Sequence, residues 1–138
     1  MQNIVVVCLD YDCALKIGKQ LSNILNMQLY NADEFIKNSL LNTLDYPIII
    51  SNEIMQIKEN AGLIELSKKE KVVITITDDE FISNGNYKLF KNSFIILLEI
   101  DTSNKIKQNI QKLIKKHCET SVIIKNLEIN NLISKIRG

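Results

Sequence analysis

The stretch Cys8-Leu9-Asp10-Tyr11-Asp12-Cys13 places two thiols and two carboxylates within a few residues of each other. Such a set admits a metal or redox cluster, with His117-Cys118 as a distant contributor. The spacing is C-x4-C, however, whereas zinc sites use C-x2-C, and the pattern predicts no resident metal or cofactor. Cys8 ends an apolar run and reads as a packed core thiol. Cys13 falls near a helix start, where a thiolate is stabilised, but Asp10 and Asp12 oppose that ionisation. His117 follows Lys115-Lys116 and reads as a group at a helix C-terminus, where the helix dipole favours positive charge. A second acidic set comprises Asp33 and Asp78-Asp79-Glu80. Asp33, Asp10, Asp12 and Asp78 are the candidate ligand-binding residues. They would form an acidic rim suited to a cation, to a basic partner, or simply to solvent.

The elements that must position these groups are legible from hydrophobic periodicity. Ile4–Leu9 is a continuous apolar run of the kind found in strands buried on both faces. Ala14, Ile17, Gly18, Leu21, Ile24 and Leu25 recur at helical spacing. Residues 27–30 predict a short second strand. Phe35 to Leu44 predicts a helix that starts near Asn31 or Asp33 as N-cap and stops before Pro47. Ile48-Ile49-Ile50 fits a strand or a buried turn. Residues 52–69 predict a helix with a break at Gly62. The β-branched run at 72–76 predicts a central strand. A turn is expected at Asn84-Gly85-Asn86 and a short helix over Tyr87–Lys91. Phe94–Ile100 and 122–124 predict strands, and Ile106–Ile114 and Ile129–Ile136 amphipathic helices. Apolar strands alternating with such helices predict an α/β protein: one domain over residues 1–138, with three α/β/α layers around a five-stranded parallel sheet. Ligands of such sheets bind beyond the C-terminal strand ends. That is where residues 9–14, 31–34, 77–80 and 100–103 fall.

Composition excludes several function classes. Seventeen basic residues against 16 acidic ones leave a net charge of +1, with mean hydropathy +0.01. No basic excess or interleaved aromatic pattern predicts nucleic-acid binding. No apolar run approaches the ~18 residues of a membrane span. The strand-like start without a basic leader, and three cysteines without a disulfide pattern, predict a cytoplasmic protein. The single arginine, Arg137, lies next to the end of the sequence. Handling a phosphorylated anion normally calls on several such planar forks.

In order and hydrophobic pattern the chain resembles shikimate kinase, a P-loop kinase family. Asn3–Val7, then Cys8–Leu15, then Gly18-Lys19-Gln20-Leu21 parallels its strand, phosphate loop and helix without a gap. Leu25–Ile36 resembles its L-G-M-x-F-x-D-x-D-x-x-I stretch. Val72–Asp79 lies where the family has a strand ending in a glycine triplet, and Phe94–Asp101 and Glu119–Ile136 match its later elements. The resemblance implies a shikimate kinase-like, P-loop NTPase-like topology. It also makes Cys8, Leu9, Tyr11, Cys13, Ala14 and Leu15 the remnant of a phosphate loop. Cys8 and Cys13 stand at its glycine positions, Ala14 at the lysine and Leu15 at the hydroxyl residue. Phosphate loops need glycines to turn backbone N–H groups inward, and a lysine and hydroxyl for the outer phosphates and Mg²⁺. Lys16 is two residues late, about 200° around the helix. Asn31 replaces a metal-organising Asp, and Thr77-Asp78-Asp79 the glycine-rich substrate wall. The substrate arginine falls near Gln56 or Ile57, and the mobile lid is missing before the last strand. Asp33 alone matches a substrate-contacting Asp.

These departures remove the positioning and electrostatic groups on which phosphoryl transfer depends. ATP–Mg²⁺ binding is not expected, and no cofactor is. The expected function is a non-catalytic binding or regulatory protein with a protein partner or a second copy of itself. The alternative is a small-molecule-binding protein or divergent small-metabolite kinase that uses the cleft around Asp33, for instance for a small anionic metabolite. Neither nucleic acid nor a membrane is expected as a partner.

Overall fold

The computed structural model describes residues 2–43 and 52–138. Its five strands are β1 (Ile4–Val7), β2 (Gln28–Asn31), β3 (Val72–Ile76), β4 (Phe94–Glu99) and β5 (Thr120–Ile123). They form one all-parallel sheet in the order β2-β3-β1-β4-β5. The helices are α1 (Tyr11–Leu25), α2 (Ala32–Thr43), α3 (Asn52–Ser67), α4 (Lys105–Lys115) and α5 (Ile129–Arg137). Every residue of β1 and β3 is buried, as the apolar runs require of strands covered on both faces.

Alternation along the strands divides the core into two layers. Val5, Val7, Ile74, Ile76, Ile95 and Leu97 pack with Leu63, Leu66, Phe81, Phe90 and Ile114. Ile4, Val6, Val73, Ile96 and Leu98 pack on the opposite face with Ala14, Ile17, Leu21, Leu132 and Ile133. Each of these larger side chains contributes about 1.5–3 kcal/mol by leaving water. The three-layer α/β/α architecture expected from the sequence is therefore present.

Local chemistry accounts for the boundaries. Asn26 ends α1 in the left-handed conformation (φ 54°), which Asn tolerates better than most residues. Asn31, not Asp33, caps α2: its Oδ1 accepts from the Glu34 N–H at 3.1 Å. Gly62 does not break α3. A Cβ there would come within 2.6 Å of Ile36 Cγ1, so this glycine permits close approach of α2 and α3. The Asn84-Gly85 turn is present, with both residues at positive φ. The helix expected over 87–91 is instead a kinked 3₁₀ segment, Ser83–Phe90, held by buried Phe81 and Phe90 at its flanks. The last strand is Thr120–Ile123 rather than 122–124. Its register is set by β4, because the Ile95 N–H donates to Glu119 Oε2 at 2.6 Å and the Ile95 carbonyl accepts from the Glu119 N–H. Leu44, Pro47 and the apolar stretch at 48–50 lie outside the described residues. Among those described, no helix is long and apolar enough to cross a membrane.

Candidate functional site

The junction after β1 is only three residues long, Cys8-Leu9-Asp10, before α1 begins at Tyr11. The segment matched to a phosphate loop is thus largely wound into the helix. Asp10 is the N-cap: its Oδ1 accepts from the Cys13 N–H at 3.1 Å, and its carbonyl accepts from the Ala14 N–H. A carboxylate therefore holds the helix N-terminus, the place where backbone N–H groups would otherwise meet an anion. Cys8 is fully buried, and burial pushes its thiol up to about 11. The Cys13 thiol is also raised, first by desolvation and then by the charge of Asp10, so the helix start does not activate it. Ala14 is buried and Leu15 half-buried. Tyr11 lies outside, donating its hydroxyl to Glu34 Oε1 at 2.9 Å, so it does not plug the cleft. Lys16 lines a 320 Å³ groove with Cys13, Ile124, Leu127 and Ile129, on the side of α1 that faces the segment after β5.

The acidic residues divide into two places. Asp33 sits in the first turn of α2 and accepts from the Thr77 hydroxyl at 2.5 Å. Asp78 follows β3 and caps the short 3₁₀ turn Asp79–Phe81, accepting from the Glu80 N–H at 2.9 Å. The buried ring of Phe81 stacks near Phe90, their centroids 6.5 Å apart, and draws Glu80 inward. Asn86 holds the same turn by donating to the Glu80 carbonyl at 2.9 Å. Carboxylate oxygens of Asp33, Asp78 and Glu80 lie within 4.8 Å of one another. They line a 360 Å³ cavity with Ile36, Lys37, Met55 and Glu59.

Asp10 and Asp12 do not join this cluster, contrary to the expectation of a single acidic rim. The ends of β2 and β3 are neighbours, which brings Asp33 and Asp78 together. Asp10 instead faces the β4–β5 side, lining a second cavity with Glu99, Asp101 and Lys125. Asp12 is exposed on the first turn of α1.

The electrostatics follow from this crowding. Burial, then the charges of Asp78, Glu59 and Asp33, raise the Glu80 carboxyl to about 9. Burial lifts Asp78 to about 6, although the Glu80 N–H bond works in the other direction. Glu59 is raised as well, by burial and by the charge of Asp79. Sequence reasoning missed Glu59. The α3 residues facing the cleft are Met55 and Glu59, one turn apart, rather than Gln56 or Ile57, both of which are exposed. The i, i+4 pair Met55/Glu59 was the available signal, but the register of α3 could not be fixed without α2 beside it. His117 does follow the end of α4, and its ring stacks on Tyr87 at 3.7 Å between centroids. Only residues 116–119 separate α4 from β5.

This five-stranded, all-parallel α/β fold is similar to solved structures of shikimate kinase and related P-loop kinases. Solved structures with this fold include shikimate kinase from Aquifex aeolicus, with TM-score 0.68 and 20% identity over 98% of this chain and 93% of that one. Shikimate kinase from Acinetobacter baumannii, solved in complex with shikimate, has TM-score 0.73 and 15% identity over 99% and 91%. A gluconokinase from Sinorhizobium meliloti has TM-score 0.57 and 10% identity over 98% and 89%. The fold thus resembles that of small-molecule kinases. No protein-family model matches the sequence, and no curated protein matches it.

Proposed function

We propose that this chain is a non-phosphorylating relative of the small-molecule kinases that acts by binding, with its ligand cleft at Asp33. The observation that carries this reading is the junction at Asp10. Its carboxylate takes the Cys13 N–H, and the neighbouring residues are helical rather than looped. A polyphosphate placed there would meet a negative charge instead of a cradle of donors. Ala14 stands where the resemblance puts the loop lysine, Lys16 lines the groove toward Leu127 and Ile129, and Lys125 lines the cavity at Asp10 together with the acidic Glu99 and Asp101. The cavity at Asp33, by contrast, is lined by half-buried Asp33, Glu59 and Asp78 and by buried Glu80, polar groups that support a ligand there.

The test is thermal denaturation with ATP–Mg²⁺, ADP and shikimate at millimolar concentration, with Mg²⁺ alone as the reference, alongside an ADP-release assay. The expected result is no shift with either nucleotide beyond the Mg²⁺ reference and no turnover. A ligand at 100 times its dissociation constant adds about 2.7 kcal/mol, which raises the midpoint of a domain this size by several degrees. A nucleotide shift of that size, or ATP-dependent phosphorylation of shikimate, overturns the reading.

A second reading, a regulatory protein that docks on a partner or on its own copy, draws on exposed apolar side chains spaced seven residues apart. Ile57 and Ile64 repeat on α3, and Ile106 (71% exposed) and Leu113 on α4. Seven residues return to the same side of a helix. This reading predicts concentration-dependent association in sedimentation velocity that Ile106→Glu abolishes. A monomer at every concentration, together with no partner recovered from cells, removes it.

A further inference from the structure

We propose that the cleft at the end of β3 is a site for a hard divalent cation, held directly by the carboxylates of Asp33, Asp78 and Glu80. This rests on the reading that the cleft binds a ligand rather than receiving a phosphoryl group, and it names the class of that ligand.

The first ground is geometric. The three carboxylates offer oxygens all within 4.8 Å of one another, from two places in the chain, the start of α2 and the turn after β3. Two oxygens bound to one Ca²⁺ at about 2.3–2.6 Å can lie at most about 5 Å apart, so each pair of these oxygens falls within the span of a single ion. The second ground is independent of the clustering. Glu80 is only 6% exposed and lines the cavity, yet among the described residues no amide, ammonium or alcohol donor reaches its Oε2, whose polar neighbours are the carboxyl groups of Asp78 and Glu59. A buried carboxylate oxygen without a donor is costly and uncommon in native proteins. A cation in the cavity supplies the missing partner.

The identity of the ligand class follows from the donor set. The cluster contains oxygen donors only, with no thiol or imidazole, which favours Ca²⁺, Mg²⁺ or Mn²⁺ over softer ions. Lys37 also lines the cavity, but no ion pair among the described residues ties it to these carboxylates. The charge of the cluster is therefore not cancelled from within. Glu59, on α3, adds a fourth carboxylate at the wall, so the cleft attracts cations and repels the small anions suited to an arginine-lined site. The 360 Å³ cavity leaves room for waters to complete the coordination shell.

The experiment uses the full chain, stripped with chelator and free of nucleotide. Calorimetric titration and thermal denaturation are run with Ca²⁺, Mg²⁺ and Mn²⁺, together with Mn²⁺-induced line broadening in amide NMR spectra. The expected result is saturable binding of one ion per chain, a raised midpoint, and broadening centred on residues 33, 78 and 80 rather than on Asp10 and Asp12. Asp33→Asn and Glu80→Gln each weaken binding roughly tenfold or more. Glu80→Gln keeps the fold, so its loss of binding cannot be put down to unfolding. No binding at millimolar ion, or equal binding by the wild type and both variants, overturns the proposal. Nucleotide turnover is scored separately. Turnover together with site-specific ion binding overturns the non-phosphorylating reading and leaves the cation site standing, whereas turnover without ion binding in the nucleotide-free chain overturns both.

Discussion

Glu80→Gln raises the stability of the ion-free protein near pH 8 by about 1–3 kcal/mol, the usual penalty for a buried polar group without its partner. It also flattens the dependence of stability on pH. The free side chain ionises near 4.5, whereas in the folded chain Glu80 holds its proton up to about 9. Below the lower value both states are protonated and the group has no effect. As pH rises between the two, the unfolded chain releases its proton and the folded chain retains it, so stability falls. Asp78 adds a smaller loss in the same direction as pH rises from about 3.8 to about 6. The titratable groups facing Glu80 are Asp33 and Lys37 from α2, Glu59 from α3, and Asp78 beside it. Three of the four are acidic, so neighbouring charge reinforces burial. Urea denaturation of the chelator-treated protein at several pH values measures this directly. Wild-type stability that is flat or rises between pH 5 and 8, or a glutamine variant less stable than wild type near pH 8, contradicts the assignment.

Gly18→Val destabilises the protein by about 3 kcal/mol, mainly through overpacking between α1 and the sheet. A Cβ at this position would stand 2.7 Å from Thr75 Cγ2 and 3.1 Å from Leu29 Cδ1. Leu29 can move, but Thr75 cannot move cheaply. It is fully buried in β3, and its hydroxyl accepts from Asn31 Nδ2 at 3.0 Å, which fixes the side chain and aims the methyl at α1. Even Gly18→Ala is destabilising, although alanine alone gains about 0.5–1 kcal/mol in a helix interior. Thr75→Ser removes the methyl and keeps the hydroxyl. In a double-mutant cycle it rescues part of the Gly18→Ala loss. Denaturant midpoints for the four proteins decide the point, and a neutral or stabilising Gly18→Ala alone contradicts it.

Asn31 illustrates how far the sequence reaches. Its place before a helical pattern marked it as a cap, and it is one, through the Glu34 N–H. Its second bond, to Thr75, joins residues 44 apart and depends on β2 lying beside β3. Gly62 shows the opposite limit: a helix-breaking residue type sits in an unbroken helix, because α2 must pack close against it.

The sequence by itself determined the alternation of strands and helices, and hence the buried parallel sheet, because apolar periodicity is a local signal that survives without neighbours. It also carries the residue types of the β1–α1 junction, Cys8, Asp10, Asp12, Cys13, Ala14 and Leu15, on which the proposed non-phosphorylating reading rests. Only the tertiary structure decided the site. The sheet order placed Asp33 beside Asp78 and turned Asp10 toward β4. The Phe81 anchor buried Glu80, and the packing of α3 presented Glu59. Whether a carboxylate is a solvated surface charge or a buried, unpartnered acid depends on burial and on neighbours distant in sequence, and no local pattern encodes either.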